Sequence, residues 1–471
     1  MSEISPAPNP ADTSGAASRM LPVAVLGAGP IGLAAAAELV GRDQQVIVLE
    51  AGDRPAAGVE SWGHVRLFSP WSELTSPAGT ALLQPSGWQH PAADRYPTGA
   101  EWVTDYLAPL AAVLGDRIRL GNRVVGVARQ DRDLVVDSGR AEQAFVVYVE
   151  DSSGTVSRIL ARSVIDATGT LARPNPLGSE GYPVPGERAA ADRIVYGMPD
   201  PATDEDRYAG RATAVVGSGA SALTSLIALT SEPLHRQGSR VVWVLRRGTV
   251  GDSYGGGEAD ELPARGALGT RVREAVEEGL IDVVTGFRTL AVDTDSNGVT
   301  LVGSDGRRID GLDQVVCVTG FRPDLSFLSE VRLELDNRLQ APVQLAAEID
   351  PNYHSCGSVR PHGHRALAQP EPGLYLAGMK SYGRAPSFLA MTGFEQVRSI
   401  AAALAGDGAA ADDVQLVLPD SGVCGGAGLF DDDTTVGGCC GTTAATPEFV
   451  ELTGLVTATG APVVAAERTT N

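Results

Sequence analysis

Residues 21–40, LPVAVLGAGPIGLAAAAELV, constrain this chain more than any other stretch. A short apolar run breaks at Gly27-Ala28-Gly29-Pro30-Ile31-Gly32 and resumes as an Ala-rich helix former. That order, strand then glycine turn then helix start, is the one a dinucleotide site requires. Gly27 permits the tight turn, Gly29 lets a pyrophosphate approach the backbone, and Gly32 lets helix and strand pack closely. The unpaired N–H groups at the helix start then face the phosphates. Residues 45–50, QVIVLE, add a buried-type strand that ends in an acid. Glu50 stands 18 residues past Gly32, where a carboxylate can accept both ribose hydroxyls of an adenosine.

The pattern occurs twice. Residues 211–216, RATAVV, form a second strand signal, and Gly217-Ser218-Gly219-Ala220-Ser221-Ala222 repeats the turn with Ala in the third small position. The next strand signal, residues 240–245, ends in Arg246-Arg247 where the first unit carries Glu50. A carboxylate there repels a 2′-phosphate, whereas guanidinium groups bind one through charge-assisted, often bidentate hydrogen bonds. The second site is therefore expected to prefer NADPH to NADH. The alternative is a pair of arginines on a solvated strand end.

At 471 residues the chain exceeds one ordinary core, and two domains with tails are expected. A net charge of −21 argues against nucleic acid and anionic membranes as partners. No run of eighteen apolar residues is present. Residues 1–19 lack a basic segment followed by an apolar one, and read as a disordered leader of a cytoplasmic protein. Five cysteines are too few for a disulfide scaffold, and Lys380 is the only lysine. The last 67 residues carry ten acids and one arginine. They read as a flexible acidic tail from about residue 405.

Several segments between the fingerprints carry chemistry-bearing residues. Residues 51–98 are rich in Pro, Ser and Trp and show little periodicity, with Trp62 and Arg66 in the densest part. Such long irregular stretches are usually functional, although Trp62 and Trp71 could equally be packing anchors. A helix is expected over residues 101–114, and strand pieces over 117–127. Residues 163–169, SVIDATG, place Thr168 and Gly169 where glycine lets a backbone pass close to a ligand. The run VVCVTGFRPD, residues 315–324, echoes it at Gly320, and Cys317 within it reads as an inert core thiol. His354, Cys356, His362 and His364 cluster on a Gly- and Pro-containing loop. Their spacing fits no closed zinc pattern, so hydrogen-bond donation by His362 or His364 is favoured over metal binding, and a plain surface loop over both for any one histidine.

Two fingerprints, each followed by such a glycine-ended strand, and a terminal Gly373-Leu374-Tyr375-Leu376-Ala377-Gly378 resemble the two-dinucleotide-binding-domain flavoproteins. The resemblance spans about residues 21–404 and implies an α/β fold of two Rossmann-like three-layer domains. An FAD domain would comprise residues 20–185 and 320–404, with an NADPH domain, 186–319, inserted in it. It implies FAD contacts from Gly27, Gly29, Pro30, Ile31, Gly32 and Glu50 in the first unit. Further FAD contacts would come from Trp62, Arg66, Val125, Thr168, Gly169, Gly378 and Met379. NADPH would be held by Gly217, Ser218, Gly219, Ala220, Arg246, Arg247 and Gly320. Many relatives have an acid directly after the glycine equivalent to Gly378; this chain has Met379 and then Lys380.

Disulfide reductases of that superfamily use a cysteine pair beside the flavin, and no cysteine precedes Cys317. The remaining resemblance is to flavin-containing and N-hydroxylating monooxygenases, through residues 62–70 and Ala167-Thr168-Gly169 followed by Pro174 and Pro176. Their linker signature is replaced here by Ile194-Val195-Tyr196-Gly197-Met198-Pro199-Asp200. The expectation is an NADPH-dependent flavoprotein that passes electrons to dioxygen and oxidises a small soft nucleophile, with a dimer left open. Arg66, His362, Lys380 and Tyr382 are the candidate catalytic contacts. A second expectation is thiol, arsenical or mercurial handling through Cys424, Cys439 and Cys440, three thiols able to share one soft ion. A third is a nucleotide-binding redox sensor.

Overall fold

The computed structural model describes residues 20–255, 263–296, 298–351, 359, 362–413 and 415. All of them belong to one compact unit, residues 1–431. The expected leader, the three tail cysteines, His354 and Cys356 lie outside the described residues.

The first fingerprint sits in a five-stranded parallel sheet. Its strands are β1 (Val23–Leu26), β2 (Val46–Leu49), β3 (Ile118–Arg119), β7 (Ser163–Asp166) and β16 (Leu374–Leu376), in the order β16-β7-β1-β2-β3. β1 is central, pairing Val23 with Val46 on one side and with Ser163 on the other. Both faces of the sheet are covered, so its central strands are continuously apolar rather than alternating. Val23, Val25, Val46 and Val48 face a helical layer built from α1 (Pro30–Val40) and α4 (Ala390–Leu404). Ala24, Leu26, Ile47 and Leu49 face an antiparallel meander of β4 (Arg123–Arg129), β5 (Phe145–Glu150) and β6 (Val156–Ala161).

The second sheet repeats this plan, in the order β11-β10-β9-β15-β8. Its strands are β8 (Ile194–Val195), β9 (Ala212–Val216), β10 (Arg240–Val244), β11 (Ile281–Val284) and β15 (Gln314–Cys317). Val215, Trp243 and Val316 pack on α2 (Ala220–Leu229) and α3 (Pro263–Glu277). Ala214, Val216 and Val244 pack on the meander β12 (Thr289–Asp295), β13 (Gly298–Gly303) and β14 (Arg308–Leu312). In chain order the second module lies between β7 and β16 of the first. The two modules are thus successive solutions to one packing problem, a parallel sheet between helices and a meander.

The chain crosses between modules twice, side by side. Pro174 bridges antiparallel to Phe321, the Asn175 N–H donates to Gly320 O at 2.9 Å, and the Arg322 N–H donates to Arg173 O at 2.9 Å. Leu177 and Val184 already pack in the second core.

Residues 99–114 are continuously helical, but Val103–Leu107 is a π-turn inserted between Gly99–Trp102 and Ala108–Leu114. Its start is fixed by a capping box between Thr98 and Glu101. Residues 51–98 hold short helices that periodicity did not signal, including Pro77–Leu83, capped by the Ser76 hydroxyl. Among the described residues no helix is long and apolar enough to cross a membrane.

Candidate active-site cleft

A cleft of about 1750 Å³ runs between the two modules and joins both fingerprints. At the first, the turn is built as the glycine spacing requires. Gly27 has φ +93°, and a Cβ there would lie 3.0 Å from Ala167 O. A Cβ on Gly32 would lie 1.9 Å from Gly27 O, so helix and turn touch backbone to backbone. A Cβ on Gly29, by contrast, meets nothing within 4 Å. Gly29 is also the N-cap of α1, with no side chain capping the helix. Space and unclaimed N–H donors thus coincide where a pyrophosphate would sit.

Glu50 closes this site from the end of β2. Its Oε2 accepts from the Ala28 N–H and its Oε1 from the Gly52 N–H, each at 2.7 Å. The carboxylate is thereby fixed, and its remaining lone pairs can take ribose hydroxyls. Val125, Trp62, Thr168, Gly169, Gly378 and Met379 line the same wall. Pro30 and Ile31 line it too, and Ile31 packs so closely on Gly378 that a Cβ there would lie 3.0 Å from it. The donors, the fixed acid and the open groove fit FAD.

The second fingerprint has the same geometry. Gly217 has φ +145° and a Cβ there would lie 2.4 Å from Val318 O, while Gly219 again faces open space at the start of α2. Ser218, Ala220, Arg246, Arg247 and Gly320 all line the cleft. Arg265, from the first turn of α3, also faces it. No pattern in the sequence marks Arg265, because the tertiary fold alone brings α3 to this edge. The three guanidinium groups of Arg246, Arg247 and Arg265 on this wall fit a 2′-phosphorylated adenosine.

The four candidate catalytic contacts separate into two pairs. Arg66 is exposed on the cleft wall, its guanidinium donating to Tyr96 O. Tyr382 also reaches the wall but is 1% exposed, and burial raises its phenol above the usual value. Lys380 and His362 do not line the cleft. The Lys380 ammonium has no exposed surface; it donates to Thr168 Oγ1 at 2.9 Å and to Asp324 O at 2.6 Å, beside Asp166. His362 is buried behind Tyr382, their rings 5.8 Å apart. Its Nε2 lies 2.8 Å from the Gln396 side-chain nitrogen, while Gln396 Oε1 accepts from the Gly378 N–H at 2.7 Å. Lys380 and His362 thus brace Thr168 and the loop after Gly378 from behind the cleft lining.

Cys317 is buried and off the cleft, its thiol pushed up to about 12 chiefly by desolvation. It is inert at neutral pH. Among the described residues no group of three His, Cys, Asp or Glu side chains is placed to hold a metal ion.

A family model described as pyridine nucleotide-disulphide oxidoreductase matches residues 24–350. No curated protein matches the chain. Among solved structures, bacillithiol disulfide reductase from Bacillus cereus is similar at 20% identity and a TM-score of 0.61, covering 82% of this chain and 99% of its own. The FAD-bound cadaverine monooxygenase from Erwinia amylovora is similar at 15% identity and a TM-score of 0.54, covering 82% and 94%. Thioredoxin reductase from T. acidophilum is similar at 16% identity and a TM-score of 0.52, covering 83% and 99%. At these identities the likeness establishes the fold.

Proposed function

Because the chain belongs to the pyridine nucleotide-disulphide oxidoreductase family, whose proteins bind FAD and use NAD(P)H, we propose that it is an NADPH-dependent flavin monooxygenase. Its substrate would be a small soft nucleophile centred on nitrogen, sulfur or a metalloid. The balance is NADPH, a proton, dioxygen and substrate in; NADP⁺, water and the mono-oxygenated substrate out.

One observation carries the choice of dioxygen over a protein disulfide as acceptor. The sequence has no cysteine before Cys317, and Cys317 is enclosed and protonated. No thiol of the described cleft can relay electrons.

FAD, when bound, supplies the two-electron relay between nicotinamide and oxygen. The chain's own residues orient and enclose. Glu50 and the N–H groups after Gly29 hold the adenosine and pyrophosphate end. Arg246, Arg247 and Arg265 would hold the 2′-phosphate of NADPH. Trp62, Phe388 and Tyr382 line the cleft and exclude water from the reacting centre. Tyr382, held neutral by burial, can donate a hydrogen bond to an oxygen that gains charge.

A screen of NADPH oxidation with oxygen monitored, across amines, thiols, sulfides and trivalent arsenicals, tests this reading. Coupled, substrate-dependent uptake of both NADPH and oxygen supports it, and NADPH loss without oxygen uptake rejects it.

The vicinal Cys439-Cys440 with Cys424 supports a second reading, in which the tail collects a soft metalloid. Replacing all three by Ser separates the two. Unchanged activity and unchanged metalloid binding reject a role for the tail.

A further inference from the structure

Among the described residues, seven arginines line the cleft against two carboxylates, Glu50 and Asp324, in a chain whose net charge is −21. Arg246, Arg247 and Arg265 gather at the second fingerprint. Arg322 and Arg384 belong to neither fingerprint. Arg322 follows Gly320 on the returning crossing, and Arg384 lies two residues beyond Tyr382 on the loop that leads into α4.

Both guanidinium groups are held by neutral acceptors. Arg322 donates from Nε to Asn175 Oδ1 at 2.8 Å and from Nη2 to Gly181 O at 3.1 Å. Arg384 donates from Nε to Gln340 Oε1 at 3.0 Å. Neither forms an ion pair with a described carboxylate; the neighbouring Asp324 pairs with Arg173 at 3.2 Å instead. Burial lowers the Arg322 pKa, and the charges of Arg384 and Arg173 lower it further. Like charges kept together in a partly desolvated wall cost free energy unless an anion answers them. The amide partners fix each fork in place and leave Nη donors over, which is the preorganised arrangement that binds carboxylates and oxyanions.

We propose that Arg322 and Arg384 form a substrate subsite beside the flavin-side loop, and that the nucleophile oxidised by this protein carries an oxyanion or carboxylate. The assignment rests on the monooxygenase reading for the word substrate, but the anion site itself does not. The soft centre is oxidised while the anionic oxygens stay on the arginines, so the subsite positions and selects and takes no part in electron transfer.

The test uses the full-length, FAD-loaded, oxidised protein without NADPH, titrated with sodium sulfate at constant ionic strength. The flavin difference spectrum is the readout, because it responds only to changes near the isoalloxazine. The expected result is a saturable spectral change in the unaltered protein, with affinity at least tenfold weaker in Arg384→Gln and unaltered in the Arg246→Gln/Arg247→Gln double variant. Arg384 is exposed, so its replacement leaves packing intact; Arg322→Gln is the second variant and is expected to act the same way. Absence of a saturable change overturns the proposal. So does a change lost with Arg246 and Arg247 but kept without Arg384, which would assign the anion to the dinucleotide phosphates. Oxygen uptake is measured separately, so sulfate binding without it would reject the monooxygenase reading and leave the anion site standing.

Discussion

Nζ of Lys380 lies 3.1 Å from Oδ2 of Asp166, and neither side chain has exposed surface. The aligned hydrogen bonds of the ammonium go to Thr168 Oγ1 and Asp324 O, while Asp166 Oδ1 accepts from the Thr168 N–H and hydroxyl at 3.0 and 2.6 Å. Oδ2 has no aligned hydrogen-bond partner, so its compensation is the charge of Lys380 itself. The chain's only lysine thus ties the end of β7 to the loop after Gly378 and to the returning crossing. Lys380→Met leaves a buried carboxylate unpaired and is expected to cost about 3–5 kcal/mol of stability. Asp166→Asn/Lys380→Met removes both charges and is expected to recover much of that loss. Denaturant unfolding of the flavin-loaded proteins measures both; equal stability of single and double variants would contradict the pairing.

This pair also marks how far the sequence could be read. The fingerprints were legible because each glycine answers a local backbone demand, and the tight contacts at Gly27, Gly32 and Gly217 are those demands made visible. The strand ends Glu50 and Arg246-Arg247 were legible for the same reason, being fixed in register by the strands they finish. The buried positions of Lys380 and His362, behind the cleft lining, were not legible. Their partners, Thr168 and Gln396, lie 212 and 34 positions away, and no local pattern records which way a side chain turns. Arg265 was invisible because α3 reaches the cleft only through its packing on α2.

Gly29 and Gly32 should respond oppositely to one added methyl group. Gly32→Ala drives a Cβ into Gly27 O and is expected to prevent folding of the first module. Gly29→Ala meets no protein atom, so the apoprotein should keep its melting temperature while flavin retention falls. Melting curves and the flavin-to-protein absorbance ratio distinguish them. Loss of stability in Gly29→Ala would show that the open space is not the ligand's.

Arg246→Gln/Arg247→Gln should raise KM for NADPH and leave KM for NADH nearly unchanged. Hydrogen bonds to a charged group are worth about 1.5–3 kcal/mol, so an increase of roughly ten- to a hundredfold is expected. Steady-state kinetics with both nucleotides checks it. A parallel rise for both would assign the arginines to shared parts of the nucleotide.

Glu371, 2% exposed, takes Arg129 on Oε1 and Arg140 on Oε2, each at 2.8 Å. Burial raises its pKa, but the two arginines outweigh this and hold it below the ordinary glutamate value of 4.5. Its contribution is therefore fully present above about pH 4.5 and is lost as pH falls through the lower folded value. Melting temperature from pH 6 to pH 3 should fall more steeply in the unaltered protein than in Glu371→Gln, which starts lower. Identical slopes would remove Glu371 from the acid limb.

The fate of isotopic oxygen tests the central claim most directly. The FAD-loaded protein is reduced with one equivalent of NADPH and exposed to ¹⁸O₂ with the substrate that best couples the two uptakes. One ¹⁸O atom in the product per NADPH consumed is the result expected of a monooxygenase. Product without label, or electrons recovered as a reduced thiol under anaerobic conditions, would contradict it.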